Sequence, residues 1–266
     1  LAAQIVERED ILEYENESLA SIVFTSGTTG SPKGVMLSFE NLYSNIEAVS
    51  SYVPIFKPNE RTLVMLPLHH TFPFVGSMLA PLYTEGICVF TPSLNSEDII
   101  NTLKKYKVTV IIGVPRFYSL IRKGIMEKIN SSFAAKIVFS LAKKVNSQKF
   151  SKKVFSKVQD KFGGNIKYLV SGGASLDREV EKDLRTLGFD VLNGYGMTEC
   201  APMITFTRPG KFKIGSAGNK LFCNEIRIKD EEILTKGPNV MMGYYGHPKA
   251  TSEILIDGWL YTGDTG

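Results

Sequence analysis

Short β-branched runs alternate with stretches of helical period along most of this 266-residue chain, and that alternation leaves few folds open. Residues 20–25, 63–66, 87–90, 108–112, 166–170 and 190–192 read as strands, the first of them buried. Between them the spacing predicts helices. One covers 39–52, with Phe39, Leu42, Ile46 and Val49 on one face and Ser38 as N-cap; another runs to Tyr106 behind Asn95 or Ser96. Further helices start at Pro115, run from Phe133 to Phe162, and cover 176–187. Strands joined through helices form a mainly parallel sheet flanked by helices, the α/β class, and such sheets hold ligands at the carboxyl ends of their strands. Beyond Pro202 the texture turns to short alternating strands with turn residues, which predicts a small antiparallel β-subdomain. The expected division is an α/β subdomain over 1–204 and a β-rich one over 205–266.

The first strand runs into Thr25-Ser26-Gly27-Thr28-Thr29-Gly30-Ser31-Pro32-Lys33-Gly34, and a helix is expected after it. Glycines let backbone N–H groups approach an anion closely, the hydroxyls add donors, and Lys33 adds a compact positive charge. This is a phosphate site by composition and placement. It is not a Walker loop: Pro32 stands where the second glycine belongs, and Gly34 where the Mg²⁺-binding hydroxyl belongs.

Three more polar, glycine-containing loops follow strands: Leu66-Pro67-Leu68-His69-His70, Ser171-Gly172-Gly173-Ala174, and Asn193-Gly194-Tyr195-Gly196-Met197-Thr198-Glu199. All face the same edge of a parallel sheet. With Gly237-Pro238-Asn239-Val240-Met241-Met242-Gly243-Tyr244 and Tyr261-Thr262-Gly263-Asp264, these segments, in this order, resemble the motifs of the adenylate-forming superfamily. Val114-Pro115-Arg116 followed by a long helical insertion resembles its bacterial long-chain fatty acid:CoA ligases. One departure is Asp230-Glu231-Glu232, where the family often has Gly before the last Glu.

The resemblance implies ATP, Mg²⁺ and CoA as cofactors and co-substrates, with a fatty acid as the acid that is activated. Thr25, Ser26, Gly27, Thr28, Thr29, Gly30 and Lys33 would hold the phosphates that leave as pyrophosphate. Gly172, Gly173 and Ala174 are small so that base and acyl group can lie against backbone, Tyr195 stacks on adenine between Gly194 and Gly196, and Asn193 bonds the adenine edge. Asp264 takes the ribose hydroxyls, Thr198 contacts the α-phosphate and acyl carboxylate, and His70 lies near both. Glu199, with Thr25, is the expected Mg²⁺ ligand. An acyl tunnel is expected along Phe72, Phe74, Val75, Met78 and Leu79.

Composition narrows the rest. A net charge of +4 with no interleaved basic and aromatic motif argues against nucleic acid. Three scattered cysteines form neither a disulfide framework nor a zinc set. Without an apolar run of membrane-spanning length or a signal peptide, the expected location is cytoplasmic; the basic helix near 136–161 leaves peripheral contact at the inner membrane face open. The chain opens without Met and stops in a turn-rich run, so it reads as a piece of a longer protein, truncated before a hinge and a C-terminal lid domain. Two rivals stand beside the CoA ligase: a fatty acyl-AMP ligase serving a carrier protein, and a nucleotide-binding fragment without full activity. Oligomeric state is not legible.

Overall fold

The computed structural model describes residues 14–25 and 32–266. Strands β1 (Leu19–Thr25) and β2 (Lys33–Ser38) lead into α1 (Phe39–Tyr52). After β3 (Arg61–Val64), α2 (Thr71–Pro73) passes through a π-helical segment, Phe74–Leu79, into α3 (Ala80–Tyr83). Then come β4 (Ile87–Phe90), α4 (Ser96–Lys105), β5 (Val110–Gly113) and α5 (Pro115–Asn130). Three helices, α6 (Phe133–Val145), α7 (Gln148–Val154) and α8 (Ser156–Lys161), precede β6 (Tyr168–Ser171), α9 (Arg178–Thr186) and β7 (Asp190–Gly196). A 3₁₀ turn at Thr198–Cys200 leads to β8 (Met203–Phe206), β9 (Asn219–Lys220), β10 (Glu225–Lys229) and β11 (Glu232–Lys236). The chain closes with β12 (Gly243–Tyr244), α10 (Pro248–Ile254), β13 (Leu255–Ile256) and β14 (Trp259–Thr265).

The central sheet has seven strands in the order β4-β3-β5-β6-β7-β8-β9. Its first five strands are parallel; β8 and β9 extend it antiparallel. Successive residues of a strand face opposite sides, so Val110 and Ile112 join the core beneath α1 and the π-helical segment, while Ile111 joins the core beneath α4, α5 and α9. Tyr118, fully buried on α5, places its hydroxyl 3.0 Å from the Ile111 carbonyl and 2.7 Å from that of Val170, tying the helix to two adjacent strands. Local signals set several boundaries. Ser38 caps α1 with its hydroxyl accepting from Asn41 N–H, and Asn95 caps α4.

One element is added and three expectations change. Between the loop and the helix expected from Phe39, Lys33 opens an additional strand: β2 pairs with β1 from Thr25↔Lys33 onward and with β12 on its other side, and its Val35 and Leu37 are buried core positions. β1 itself is only half-buried, with Phe24 exposed, since it is the edge strand of that three-stranded sheet. The predicted helix from Phe133 to Phe162 is three helices, broken where Asn146 adopts a left-handed conformation (φ 47°) and Ser147 caps the next turn. The division expected at 204/205 falls inside β8, which the parallel sheet recruits through β7. A separate four-stranded antiparallel sheet, β10-β11-β14-β13, begins at Glu225.

Candidate active site

The carboxyl ends of β6 and β7 open into a cavity of about 560 Å³, within the usual range of roughly 300–1,000 Å³ for small-molecule sites. It brings together Gly173, Ala174, Asn193, Gly194, Tyr195, Gly196 and Asp264. Asp264 arrives on β14, which pairs with β11, and its Oδ2 accepts from the Tyr195 hydroxyl at 2.7 Å. Burial first, and then the Asp264 carboxylate, raises the Tyr195 hydroxyl far above its ordinary pKa, so it is a standing donor.

Close approach requires the glycine at 196, where backbone is the obstacle, while at 194 a methionine tip would have to move. A Cβ on Gly196 would lie 1.9 Å from the Pro202 carbonyl, and one on Gly194 would lie 2.2 Å from Met203 Cε. Gly172 lies behind the cavity, where a Cβ would stand 2.7 Å from the Phe72 ring. The far wall, Gly215-Ser216-Ala217-Gly218, is not among the loops expected from sequence, although its two glycines around small residues repeat their texture.

Behind this cavity sits Glu181, a side chain that sequence patterning places only on a helix. It is fully buried, and its carboxylate accepts from Arg185 Nε at 3.1 Å, Asn193 Nδ2 at 3.1 Å and Gly215 N–H at 3.0 Å. Arg185 is held in turn by Asp190, by the Val191 carbonyl, and by the Phe212 ring 3.4 Å from its guanidinium carbon. Because Glu181 can only accept, the Asn193 amide must turn its NH₂ toward it. That leaves Asn193 Oδ1 buried at the cavity wall, without a partner among the described residues.

Thr198 and Glu199 follow in the 3₁₀ turn. That turn is held by buried amides from elsewhere in the chain: Asn45 Nδ2 donates to the Cys200 carbonyl at 3.3 Å and Asn239 Nδ2 to the same carbonyl at 2.7 Å. Met241 N–H donates to the Glu199 carbonyl at 2.8 Å. Glu199 is 6% exposed, and its Oε1 accepts from Tyr244 at 2.6 Å. Burial, and then Glu199, drives the Tyr244 hydroxyl far above its ordinary pKa. Lys33 Nζ lies 5.0 Å above the same Tyr244 ring, so β12 joins the lysine of β2 to the carboxylate of the turn.

The donor set suits Mg²⁺. Among the described residues no group of three or more His, Cys, Asp or Glu side chains is placed to hold a metal ion, and Glu199 Oε2 accepts no hydrogen bond there. One carboxylate with a free oxygen fits an ion that completes its shell with water and substrate phosphates.

Thr25 ends β1 opposite Lys33, at the mouth of the loop. Ser26, Gly27, Thr28, Thr29 and Gly30 lie outside the described residues. His70 is exposed just before α2, its ring 4.3 Å from that of His69; it lies past the carboxyl end of β3, outside the cavity wall.

The AMP-binding enzyme family matches residues 4–245, and the chain belongs to it. It is 32% identical to the long-chain-fatty-acid–CoA ligase 1 of Saccharomyces cerevisiae, over 97% of this chain and 41% of that protein. It is 30% identical to the long-chain-fatty-acid–CoA ligase FadD15 of Mycobacterium bovis, over 93% and 44%. ATP-bound MatB from Rhodopseudomonas palustris superimposes with a TM-score of 0.76 at 28% identity, covering 96% of this chain and 47% of that one. The chain thus spans about two fifths of the length of the curated relatives it matches. Among the described residues no helix is long and apolar enough to cross a membrane.

Proposed function

We propose that this chain is the nucleotide-binding part of a long-chain fatty acid:CoA ligase. The enzyme joins the acid to ATP as acyl-adenylate, releasing pyrophosphate, and then passes the acyl group to the CoA thiol, releasing AMP. The observation that carries the reading is the cavity closed by Tyr195 and Asp264, with Glu199 held in the adjoining turn. Adenine stacks on Tyr195, with Asn193 Oδ1 accepting from its exocyclic amine, and the ribose hydroxyls bond Asp264.

One fatty carboxylate oxygen attacks the α-phosphorus while the bond to the β-phosphate breaks. Two anions must approach, so the site has to supply cations and oriented donors where charge accumulates. Lys33 and the hydroxyls of residues 25–31 take the leaving pyrophosphate. Thr198 orients the α-phosphate and the carboxylate, and His70 stands on the acyl side. Glu199 and Thr25 would hold Mg²⁺, which would supply charge neutralisation. The acyl chain runs along the π-helical segment from Phe72, a backbone irregularity of the kind found at functional sites.

Peripheral membrane contact belongs to the same reading. Phe133, Ile137, Leu141 and Val145 recur every fourth residue on α6 and are 80%, 54%, 49% and 46% exposed, with Lys136, Lys143 and Lys144 beside them.

Palmitate-dependent exchange of pyrophosphate into ATP, run on this chain and on the whole protein, tests the adenylation step. Palmitoyl-CoA formation separates the ligase from an enzyme that serves a carrier protein, a rival that the names of the relatives do not favour. Absence of exchange in the whole protein would reject the reading.

A further inference from the structure

On the sheet face opposite the π-helical segment, α4, α5, α6 and α8 enclose a second cavity of about 810 Å³. Its walls are apolar, with Ile99 from α4, Phe117, Ile121 and Ile125 from α5, Val138 from α6 and Val158 from α8. Gly124 also faces it from the middle of α5, and a Cβ there would meet nothing within 4 Å. A mid-helix glycine costs about 1 kcal/mol relative to alanine. Here it widens a void instead of admitting a neighbour.

The cavity also has a charged end. Lys128, near the end of α5, and Lys161, the last residue of α8, both line it, as does Lys157. None of the three forms an ion pair among the described residues, and neither does Glu127 on the same rim. Lys128 lines the same cavity and holds the Lys161 amine below its ordinary pKa; burial and Lys104 add to the effect. Two adjacent ammonium groups repel, and an anion between them relieves the repulsion and forms charge-assisted hydrogen bonds.

This end lies far from the nucleotide. α5 starts at Pro115, just after the carboxyl end of β5, so at 1.5 Å per residue Lys128 is about 20 Å further along its axis. From Phe117 to Lys128 the apolar wall extends about 16 Å, the length scale of a long acyl chain.

We propose that this cavity is a second, non-catalytic site for a long-chain fatty acid, with the chain along α5 and the carboxylate between Lys128 and Lys161. An apolar slot with a cation pair on its exposed rim selects a single-chain anion; choosing the fatty acid among such anions rests on the function proposed above.

Equilibrium dialysis of palmitate against the whole protein without ATP tests it, in parallel with ATP–pyrophosphate exchange. The parent should bind two palmitates, and one class should weaken at least tenfold in the double variant Lys128→Glu/Lys161→Glu and in Gly124→Phe, whose ring fills open space. Exchange should stay within twofold of the parent in both, and methyl palmitate should not compete for the second class. A single palmitate in the parent, or a second class that both variants leave intact, overturns the site. So does a lysine effect seen only as lost binding to phosphatidylserine vesicles, which would assign the pair to a lipid surface. Two palmitates bound by a parent without exchange would sink the ligase reading and leave this site standing.

Discussion

The Tyr195 hydroxyl donates to Asp264 Oδ2 at 2.7 Å, joining residues 69 positions apart and linking the end of the parallel sheet to the four-stranded antiparallel one. The bond presets the carboxylate beside the ring on which adenine is to stack. Asp264→Asn keeps the shape and removes the charge, so it should raise the KM for ATP roughly ten- to a hundredfold, as expected from about 1.5–3 kcal/mol for a charged hydrogen bond. Tyr195→Phe keeps the stacking face and should change that KM only a few-fold. Steady-state kinetics of the whole protein decides; an unaltered KM in Asp264→Asn would remove the ribose role.

Glu199 is the carboxylate placed for the metal. Glu199→Gln retains the acceptor that Tyr244 uses and removes the charge, so the Mg²⁺ concentration for half-maximal exchange should rise at least tenfold. Titration of exchange with Mg²⁺ measures this. Equal curves for variant and parent would place the ion on other groups.

Glu181 holds the Asn193 amide with its NH₂ turned to the carboxylate, which leaves Oδ1 as the polar atom without a partner among the described residues. In Glu181→Gln the new amide can donate, which lets Asn193 turn and offer a donor instead. The ratio of kcat/KM for ATP over GTP should fall at least tenfold, because guanine carries an acceptor where adenine carries an amine. A protein merely loosened by the change would lose activity with both nucleotides and keep the ratio.

Burial drives the Tyr118 phenol well above its ordinary pKa. The folded group therefore stays protonated where the unfolded one ionises, near pH ~10. Its contribution is complete below that pH and is lost as pH rises toward the folded value. Urea unfolding should show stability falling above about pH 10, with a shallower fall in Tyr118→Phe, which is also about 1–2 kcal/mol less stable at neutral pH. Parallel alkaline limbs in the two proteins would show that other groups set the slope.

The β10–β11 hairpin turns through Asp230 and Glu231, both left-handed at φ 51° and 64°, between the paired residues Lys229 and Glu232. Two successive positive φ angles define the turn that favours glycine, at the point where this sequence departs from the family's usual pattern. Glu231→Gly should gain roughly 0.5–1 kcal/mol, the steric relief outweighing the added chain entropy, and raise Tm by about 1–3 °C. A lower Tm, measured by calorimetry, would mean that the glutamate contributes something beyond its backbone conformation.

Much of this protein is legible in its sequence because the chemistry that sets it is local. β-branched runs mark the parallel strands; Ser38 and Asn95 mark helix starts, since a cap acts within one turn; and the glycine loops mark the strand ends where Tyr195 and Glu199 stand. Tertiary structure decides what depends on partners distant in the chain. Lys33 to Ser38 is a strand because β1 lies on one side and β12, about two hundred residues later, on the other; apolar periodicity over six residues does not separate that outcome from a helix. The bond from Tyr244 to Glu199 and the hold of Glu181 on Asn193 arise the same way. Each is a contact between side chains whose positions the sheet order sets, and hydrogen bonds of that reach leave no period along the chain.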